Sequence, residues 1–141
     1  MFYKPLLYPL LIQVALTFSV MFIMYRQRVA EYRRKQVHPN RTTTRTQARE
    51  VLVDSAKSSD NFQNQFEMPV LFYTAIILAI TLLLQDVLLS ALAWTYVSLR
   101  VLHSAVHVSY NNVMHRFYLF ACSAFVLLLL WVRLGWLIFL K

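Results

Sequence analysis

The stretch DVLLSALAWTYVSLRVLHSAVHVSYNNVMHRFYLFACSAFVLLLLWV, residues 86–132, contains two long apolar runs with a segment rich in ionisable side chains between them. That segment, from Arg100 to Arg116, carries two arginines and three histidines. Apolar runs of about this length are what a helix needs to cross a ~30 Å hydrocarbon core. The stretch therefore predicts two membrane-spanning helices with an unusual polar cluster where they meet.

Two further apolar runs precede this stretch, and the whole 141-residue chain is 59% hydrophobic with a single glycine. Soluble proteins average roughly 45–50% apolar residues, so the composition indicates a membrane protein. The predicted spans cover about 5–25, 66–84, 87–110 and 116–140. The runs are continuous and lack the alternation of a transmembrane barrel, which favours helices.

The connections between these spans predict how they pack. Only Gln85 and Asp86 separate the second span from the third, and the third and fourth are joined almost as tightly. Short connections make consecutive helices antiparallel neighbours. We therefore predict an all-α membrane protein, a single domain over residues 1–141 that forms an antiparallel bundle of four transmembrane helices.

The positive charge of the chain is concentrated in one loop. Nine of the fourteen Lys and Arg residues lie between Arg26 and Lys57, and the formal net charge is +8. Short loops rich in Lys and Arg stay in the cytoplasm and attract anionic lipid headgroups. We therefore expect a basic cytoplasmic loop over residues 26–60, both termini on the non-cytoplasmic side, and the lipid bilayer rather than nucleic acid as the partner.

Polar side chains from three predicted helices converge at the cytoplasmic end. Arg100, His103 and His107 follow one face of the third helix, with Arg100 about 15 Å deep at ~1.5 Å per residue. Asn64 and Glu67 lie near the cytoplasmic end of the second helix, and Arg116 opens the fourth. Pro69, just after Glu67, indicates either a kink or the first turn of the second span.

This cluster has three interpretations. Placing an arginine such as Arg100 at the centre of a membrane helix costs roughly 2.5–3.5 kcal/mol of free energy, so its charge needs a partner. The first interpretation is that Glu67 is this partner, in an ion pair that is purely structural. His103 and His107 have the i, i+4 spacing of a metal site, but the neighbouring arginine opposes a cation, and we expect no metal. A net positive cluster suits an anionic ligand best. The single cysteine, Cys122, excludes an internal disulfide and a cysteine cluster.

The motifs NQFEMP at residues 64–69 and RVLHSAVH at 100–107, followed by Arg116, resemble the MAPEG family, the membrane-associated proteins in eicosanoid and glutathione metabolism. The number of spans, the chain length and the long first loop fit the family as well. The resemblance is to bacterial-type members, so it implies a bacterial inner membrane. It further implies a homotrimer with glutathione as cosubstrate, bound between neighbouring subunits in the cytoplasmic half.

The resemblance also assigns roles to residues of this chain. It implies that Asn64, Glu67, Arg100, His103 and His107 bind glutathione and that Arg116 is catalytic, holding the thiolate, which is the nucleophile. Two positions depart from the family pattern: Asp60 stands where an arginine is expected, and His107 stands where a tyrosine is expected.

Two functions follow as hypotheses. The first is a transferase or peroxidase that uses glutathione or another thiol against small lipophilic electrophiles arriving through the bilayer. The alternative is a non-catalytic membrane scaffold or anion-binding protein of the same fold. A transport role is disfavoured because no continuous polar path runs through the outer half of the bundle.

Overall fold

The computed structural model describes residues 4–140 of the chain, and no strand is present in that range. The helices are α1 (Lys4–Lys35), α2 (Arg45–Val51), α3 (Ala56–Asn64), α4 (Met68–Thr81), α5 (Val87–Val108) and α6 (Val113–Phe139), with a 3-10 turn at Pro39–Thr42. The predicted domain of 1–141 also includes residues 1–3 and 141, which lie outside the described part. The prediction of an all-α fold is confirmed.

Four helical stretches within residues 4–140 are long and apolar enough to cross a membrane: Lys4–Lys35, Ala56–Thr81, Val87–Val108 and Val113–Phe139. Many large apolar side chains on them point outward, and Phe18, Phe22, Phe125 and Leu128 are each more than half exposed. Such an apolar surface would cause aggregation in water, whereas in a bilayer it packs against lipid tails. The chain is therefore an integral, multi-pass membrane protein, as predicted.

The bundle interior is packed with a mixture of small and large apolar residues. Ala75, Ala79 and Ala93 are fully buried, and small residues of this kind let membrane helices approach closely. Phe72 of α4 stacks on Tyr96 of α5 with ring centroids 4.6 Å apart. These contacts hold the second and third spans together at about the depth of the predicted polar cluster.

The two ends of the bundle differ in character. The turn end carries the connection between α4 and α5, where Asp86 accepts a hydrogen bond from the backbone N–H of Leu89 and caps α5. The Asp86 carboxylate also accepts hydrogen bonds from Arg133 of α6, at 2.6 Å from Nη2 and 3.2 Å from Nε. The loop end carries the long connection between α1 and α4 and the turn at 109–112.

At the loop end, α1 continues past the predicted end of the first apolar run, residue 25, to Lys35. The added segment RQRVAEYRRK is rich in residues of high helix propensity, which explains why the helix persists outside the apolar run. Glu31 in this extension is buried, and its carboxylate accepts hydrogen bonds from Lys35, from the backbone N–H of Asp54 and from both the N–H and hydroxyl of Ser55. The extension therefore anchors the long connection to the bundle.

The second span is interrupted near its start. Helix α3 ends at Asn64, and α4 begins at Met68 with Pro69 in its first turn, where the missing N–H costs no helical hydrogen bond. Of the two alternatives that the sequence left open for Pro69, a kink or the first turn of the span, the structure shows the first turn. Because of the interruption, residues before and after it do not share one continuous helical face.

Candidate functional site

A groove on the side of the bundle, which we call the lateral groove, collects three of the predicted site residues. Asn64 of α3, His103 of α5 and Arg116 of α6 line it together with Val113, Phe117 and Phe120. Its volume is about 230 Å³. Polar and cationic side chains line it together with apolar and aromatic ones, so the groove is suited to a ligand with one polar and one lipophilic part.

Arg100 lies behind this groove and is fully buried. Its Nη2 donates a hydrogen bond to the backbone carbonyl of Asn64 at 2.8 Å, and its Cζ is 5.9 Å from the centre of the Phe120 ring. Neither Nε nor Nη1 has a hydrogen-bond partner among residues 4–140. A buried guanidinium with open donors is costly, so this arrangement favours an anionic group nearby.

His103 presents a defined tautomer to the groove. Its Nδ1 lies 3.1 Å from the backbone carbonyl oxygen of Arg116. A carbonyl oxygen only accepts, so in the neutral ring Nδ1 carries the hydrogen and Nε2 is the unprotonated acceptor. This Nε2 is buried and makes no hydrogen bond within the described chain. The Nε2 lone pair of His103 is therefore an unsatisfied hydrogen-bond acceptor next to the groove.

Arg116 is held at the start of α6. Its Nη1 donates to the side-chain oxygen of Asn111 at 2.8 Å, and its buried Nε has no partner among the described residues. Asn111 has φ 50°, a left-handed conformation that asparagine tolerates better than most residues. The prediction that Arg116 opens the fourth helix is wrong, because Asn112 caps the N–H groups of Met114 and His115 and starts the helix at Val113.

Glu67 does not pair with Arg100. Its side chain is exposed, and it forms no ion pair with any residue in the range 4–140. Asn64 and Glu67 were both predicted near the start of the second helix, but they do not share a helix face, because α3 ends at Asn64 and the chain leaves helical geometry at Glu67, with ψ −99°. The backbone of Asn64 takes the place of the carboxylate as the partner of Arg100. The structural ion pair is therefore not observed.

Two other positions singled out from the sequence lie outside the lateral groove. Asp60 pairs with Arg49 of α2 at 2.9 Å and faces a different cavity of about 310 Å³, the arginine cavity, which Arg28, Arg45 and Phe66 also line. His107 is buried on α5 and lines a third cavity, towards α1 and α3. His103 and His107 remain close, with ring centroids 5.8 Å apart. Among the described residues, no three His, Cys, Asp or Glu side chains come together as a set of metal ligands.

A buried polar network that supports the site was missed in the sequence. Gln13 donates to Gln65 at 3.0 Å, Gln65 donates to Ser104 at 3.1 Å, and Ser104 donates to Asn61 at 3.2 Å. All four side chains are at most 3% exposed, and they join α1, α3 and α5 directly behind Arg100 and His103. Ser104 could have indicated this network in the sequence. It lies four residues after Arg100, and residues at i and i+4 share a helix face, so it extends the polar face of α5.

Comparison with known proteins gives one match. The model of the MAPEG family matches residues 6–136, which is nearly the whole chain. No curated protein and no solved structure matches. The four membrane-spanning helices and their polar cluster at the loop end agree with this assignment. The chain belongs to the MAPEG family, the membrane proteins of eicosanoid and glutathione metabolism.

Proposed function

We propose that this protein is a membrane-embedded transferase or peroxidase that uses glutathione, or another small thiol, against lipophilic electrophiles. The observation that carries the proposal is the meeting of unpartnered cationic and acceptor atoms in and behind the lateral groove. These atoms are Nε of Arg116, Nε and Nη1 of Arg100, and Nε2 of His103. Phe117 and Phe120, which also line the groove, are suited to the lipophilic reactant.

The chemistry needs a thiolate, and Arg116 is the group best suited to stabilise it. A guanidinium beside a thiol lowers the thiol pKa, and the thiolate is the attacking species. Arg116 also lies in the first turn of α6, where the N–H groups of the helix add a positive potential. In the transferase reaction the sulfur forms a bond to the electrophilic carbon, and the leaving group departs with the electron pair of the broken bond.

The polar part of the thiol would be held by the remaining residues. Arg100 supplies two open donors, His103 Nε2 supplies an acceptor, and the Asn64 side chain lines the groove. The negative charge of Asp60, where the family pattern has an arginine, is balanced by Arg49 at 2.9 Å. Asp60 therefore adds little net repulsion towards an anionic ligand. Glu67 and His107, which the resemblance also implies as glutathione ligands, do not line the lateral groove within one subunit.

Assembly and topology complete the proposal. The lateral groove opens on the side of the bundle, and Val113 and Phe117 at its rim are more than half exposed. A neighbouring copy in a homotrimer would close this side and separate the thiol from lipid. The loop end, with its concentration of Lys and Arg, would face the cytoplasm of a bacterial cell, where a soluble thiol is supplied.

The proposal is tested by titrating the purified, detergent-solubilised protein with glutathione while following thiolate absorbance and binding heat. We expect the unaltered protein to bind glutathione and to form thiolate at neutral pH. Arg116→Ala should abolish the thiolate signal, and Arg116→Lys should restore part of it. The matched control is Arg41→Ala, which removes an exposed arginine in the connection between α1 and α2, outside the lateral groove. Absence of binding at millimolar glutathione would contradict the proposal.

A non-catalytic scaffold or anion-binding protein is the second candidate. The observation that favours it is that Glu67 points outward while Arg100 is already engaged by the Asn64 backbone carbonyl. In that case the unaltered protein would form no thiolate. Arg116→Ala would then leave the melting temperature and the oligomeric state unchanged and alter no measurable chemistry.

A further inference from the structure

The turn between α5 and α6 holds one residue in an uncommon backbone conformation. Asn111 has φ 50°, in the left-handed region that asparagine adopts more readily than most residues. Its backbone N–H donates to the carbonyl of Val106 at 2.9 Å, and the N–H of Ser109 donates to the carbonyl of Ala105 at 3.0 Å. The backbone of Asn111 is therefore attached to the end of α5, directly before Asn112, the N-cap of α6.

The side chain of Asn111 contacts Arg116 on the following helix. The Arg116 Nη1 donates a hydrogen bond to the Asn111 side-chain oxygen at 2.8 Å. The main chain of Arg116 has a separate contact with α5, because the His103 ring donates from Nδ1 to the Arg116 carbonyl oxygen at 3.1 Å. His103 therefore holds the backbone of Arg116, and Asn111 holds its guanidinium.

A hydrogen bond to one nitrogen restricts the orientation of the whole guanidinium. The group is planar and carries its five N–H donors in a rigid fork, so a fixed Nη1 limits the directions of the other donors. The contact with Asn111 is the one hydrogen bond that the Arg116 side chain makes within residues 4–140. Arg116 lines the lateral groove, whereas Asn111 does not. Asn111 therefore orients the cation of the groove from outside it.

The acceptor that holds Arg116 is neutral. Arg116 forms no ion pair with any carboxylate in the described part of the chain. A carboxylate in the place of the Asn111 amide would also accept the hydrogen bond, but its negative charge would offset the positive potential of the guanidinium. The amide fixes the group and leaves its charge available to an anion in the groove.

We propose that Asn111 is a positioning residue, which orients the Arg116 guanidinium through a neutral acceptor and thereby strengthens its stabilisation of a thiolate in the lateral groove. This inference rests on the proposed thiol function, in which Arg116 is the group that stabilises the thiolate. A cation held close to the sulfur stabilises it more than one that swings away, because the attraction falls with distance. Asn111 acts through Arg116 and needs no contact with the sulfur.

Two measurements on the full detergent-solubilised chain test the proposal. The first is a pH titration of thiolate absorbance with bound glutathione, which gives the pKa of the bound thiol. The second is the rate at which phenylglyoxal, an arginine-selective reagent, modifies Arg116 without glutathione present. Mass spectrometry quantifies this rate against that of Arg41, an exposed arginine outside the groove, in the same sample.

Asn111→Gly removes the acceptor and keeps the fold, because glycine adopts the left-handed conformation without strain. We expect the thiol pKa to rise by about 1 unit, which corresponds to the loss of about one hydrogen bond to a charged group. We also expect phenylglyoxal to modify Arg116 faster than in the unaltered chain.

Asn111→Asp separates positioning from charge. The carboxylate still accepts from Arg116, so the modification rate should stay as slow as in the unaltered chain. The thiol pKa should rise nevertheless, because the added negative charge opposes the thiolate. A purely structural role of Asn111 would not separate the two measurements in this way.

Two further variants control for backbone strain. Asn111→Ala removes the acceptor but keeps a Cβ in the left-handed conformation, so it should match Asn111→Gly in both measurements and melt at a lower temperature. Gln36→Gly replaces another residue of positive φ, 53°, directly after α1 and outside the lateral groove. It should leave the thiol pKa and the modification of Arg116 unchanged.

Three results would overturn the proposal: an equal modification rate of Arg116 in Asn111→Gly and the unaltered chain, an equal thiol pKa in these two proteins, or an unchanged thiol pKa in Asn111→Asp. Failure of the proposed function looks different, because the unaltered chain would then form no thiolate at any pH. In that case a faster modification rate in Asn111→Gly would still support the positioning of Arg116 by Asn111.

Discussion

At the scale of single residues, burial without a partner is the most informative property of this chain. Arg100 is fully buried in a membrane span with two open donors, although an arginine in such a position costs roughly 2.5–3.5 kcal/mol. His103 Nε2 and both nitrogens of His107 are also without partners in the described part of the chain. Glu31 is the opposite case, because four hydrogen bonds satisfy its buried carboxylate.

Glu31→Gln should detach the connection between α1 and α3 from the bundle. The amide introduced carries no charge, so Lys35 loses the nearer of its two carboxylate partners, and the N–H and hydroxyl of Ser55 lose a charged acceptor. Lys35 is a third exposed, so the loss is about that of a hydrogen bond to a charged group, about 1.5–3 kcal/mol, which corresponds to roughly a 10- to 100-fold increase in local opening. Limited proteolysis in detergent, with cleavage mapped between residues 36 and 55, measures this increase.

The matched control is Glu50→Gln, which removes an exposed carboxylate that has no ion pair among the described residues. It should leave the cleavage rate unchanged. Equal cleavage rates for Glu31→Gln and the unaltered chain would show that the carboxylate does not hold this segment.

At the scale of helices, the two ends of the bundle are held by different means. At the loop end, the network of Gln13, Gln65, Ser104 and Asn61 joins three helices through neutral hydrogen bonds. At the turn end, Asp86 caps α5 and pairs with Arg133 of α6. The hydrogen bond from Arg133 is the main cause that lowers the pKa of Asp86 below its ordinary value, and the N–H of Leu89 contributes, while desolvation opposes both.

The pair of Asp86 and Arg133 should make the stability of the protein depend on acid pH. The folded-state pKa of Asp86 lies below the unfolded value of 3.8, so its contribution is present above about pH 4 and is lost as the pH falls through the lowered value. We expect Arg133→Gln to melt at a lower temperature than the unaltered chain at pH 7. The difference should shrink as the pH is lowered towards 3 in detergent melting experiments.

Asp86→Asn provides the control for this pH dependence, because it keeps a capping oxygen for Leu89 but has no proton to lose. In the Asp86→Asn background, adding Arg133→Gln should therefore change the melting temperature by the same amount at pH 7 and at pH 3. A constant difference between Arg133→Gln and the unaltered chain would contradict the assignment of the pH dependence to Asp86.

At the scale of the whole molecule, an apolar exterior surrounds an interior that is polar at one end only. The outward side chains of the four spans suit a bilayer, and the core between α4, α5 and α6 is apolar towards the turn end. The polar groups of the lateral groove, the arginine cavity and the cavity that His107 lines all lie towards the loop end. These cavities are therefore open to water-soluble molecules from that side of the membrane only.

The distribution of Lys and Arg predicts which side this is. Alkaline phosphatase fused after residue 141 should be active in bacterial cells, because it folds only outside the cytoplasm. Green fluorescent protein inserted between Thr43 and Thr44 should be fluorescent, because the basic connection is retained inside. An inactive phosphatase fusion together with a dark insertion would reverse the topology and place the loop end outside.

The sequence alone determined the fold class, and it predicts the approximate region of the candidate site, because both follow from local patterns. The length of the apolar runs predicts four spans, and the spacing of Arg100 and His103 predicts one helix face. These properties depend on the geometry of a single helix and need no knowledge of its neighbours. The family assignment likewise rested on short motifs and was confirmed by the match over residues 6–136.

The tertiary structure alone decided which of these residues meet. The interruption of helical geometry at residues 65–67 turned Glu67 outward and gave Arg100 the backbone carbonyl of Asn64. His103 and His107 lie one turn apart on α5, yet they line different cavities because different helices pack against them. Partners such as Glu31 with Ser55, or Asp86 with Arg133, are distant in the chain, so no local pattern reveals them. Side-chain pairing depends on how helices pack, and packing is a property of the whole bundle.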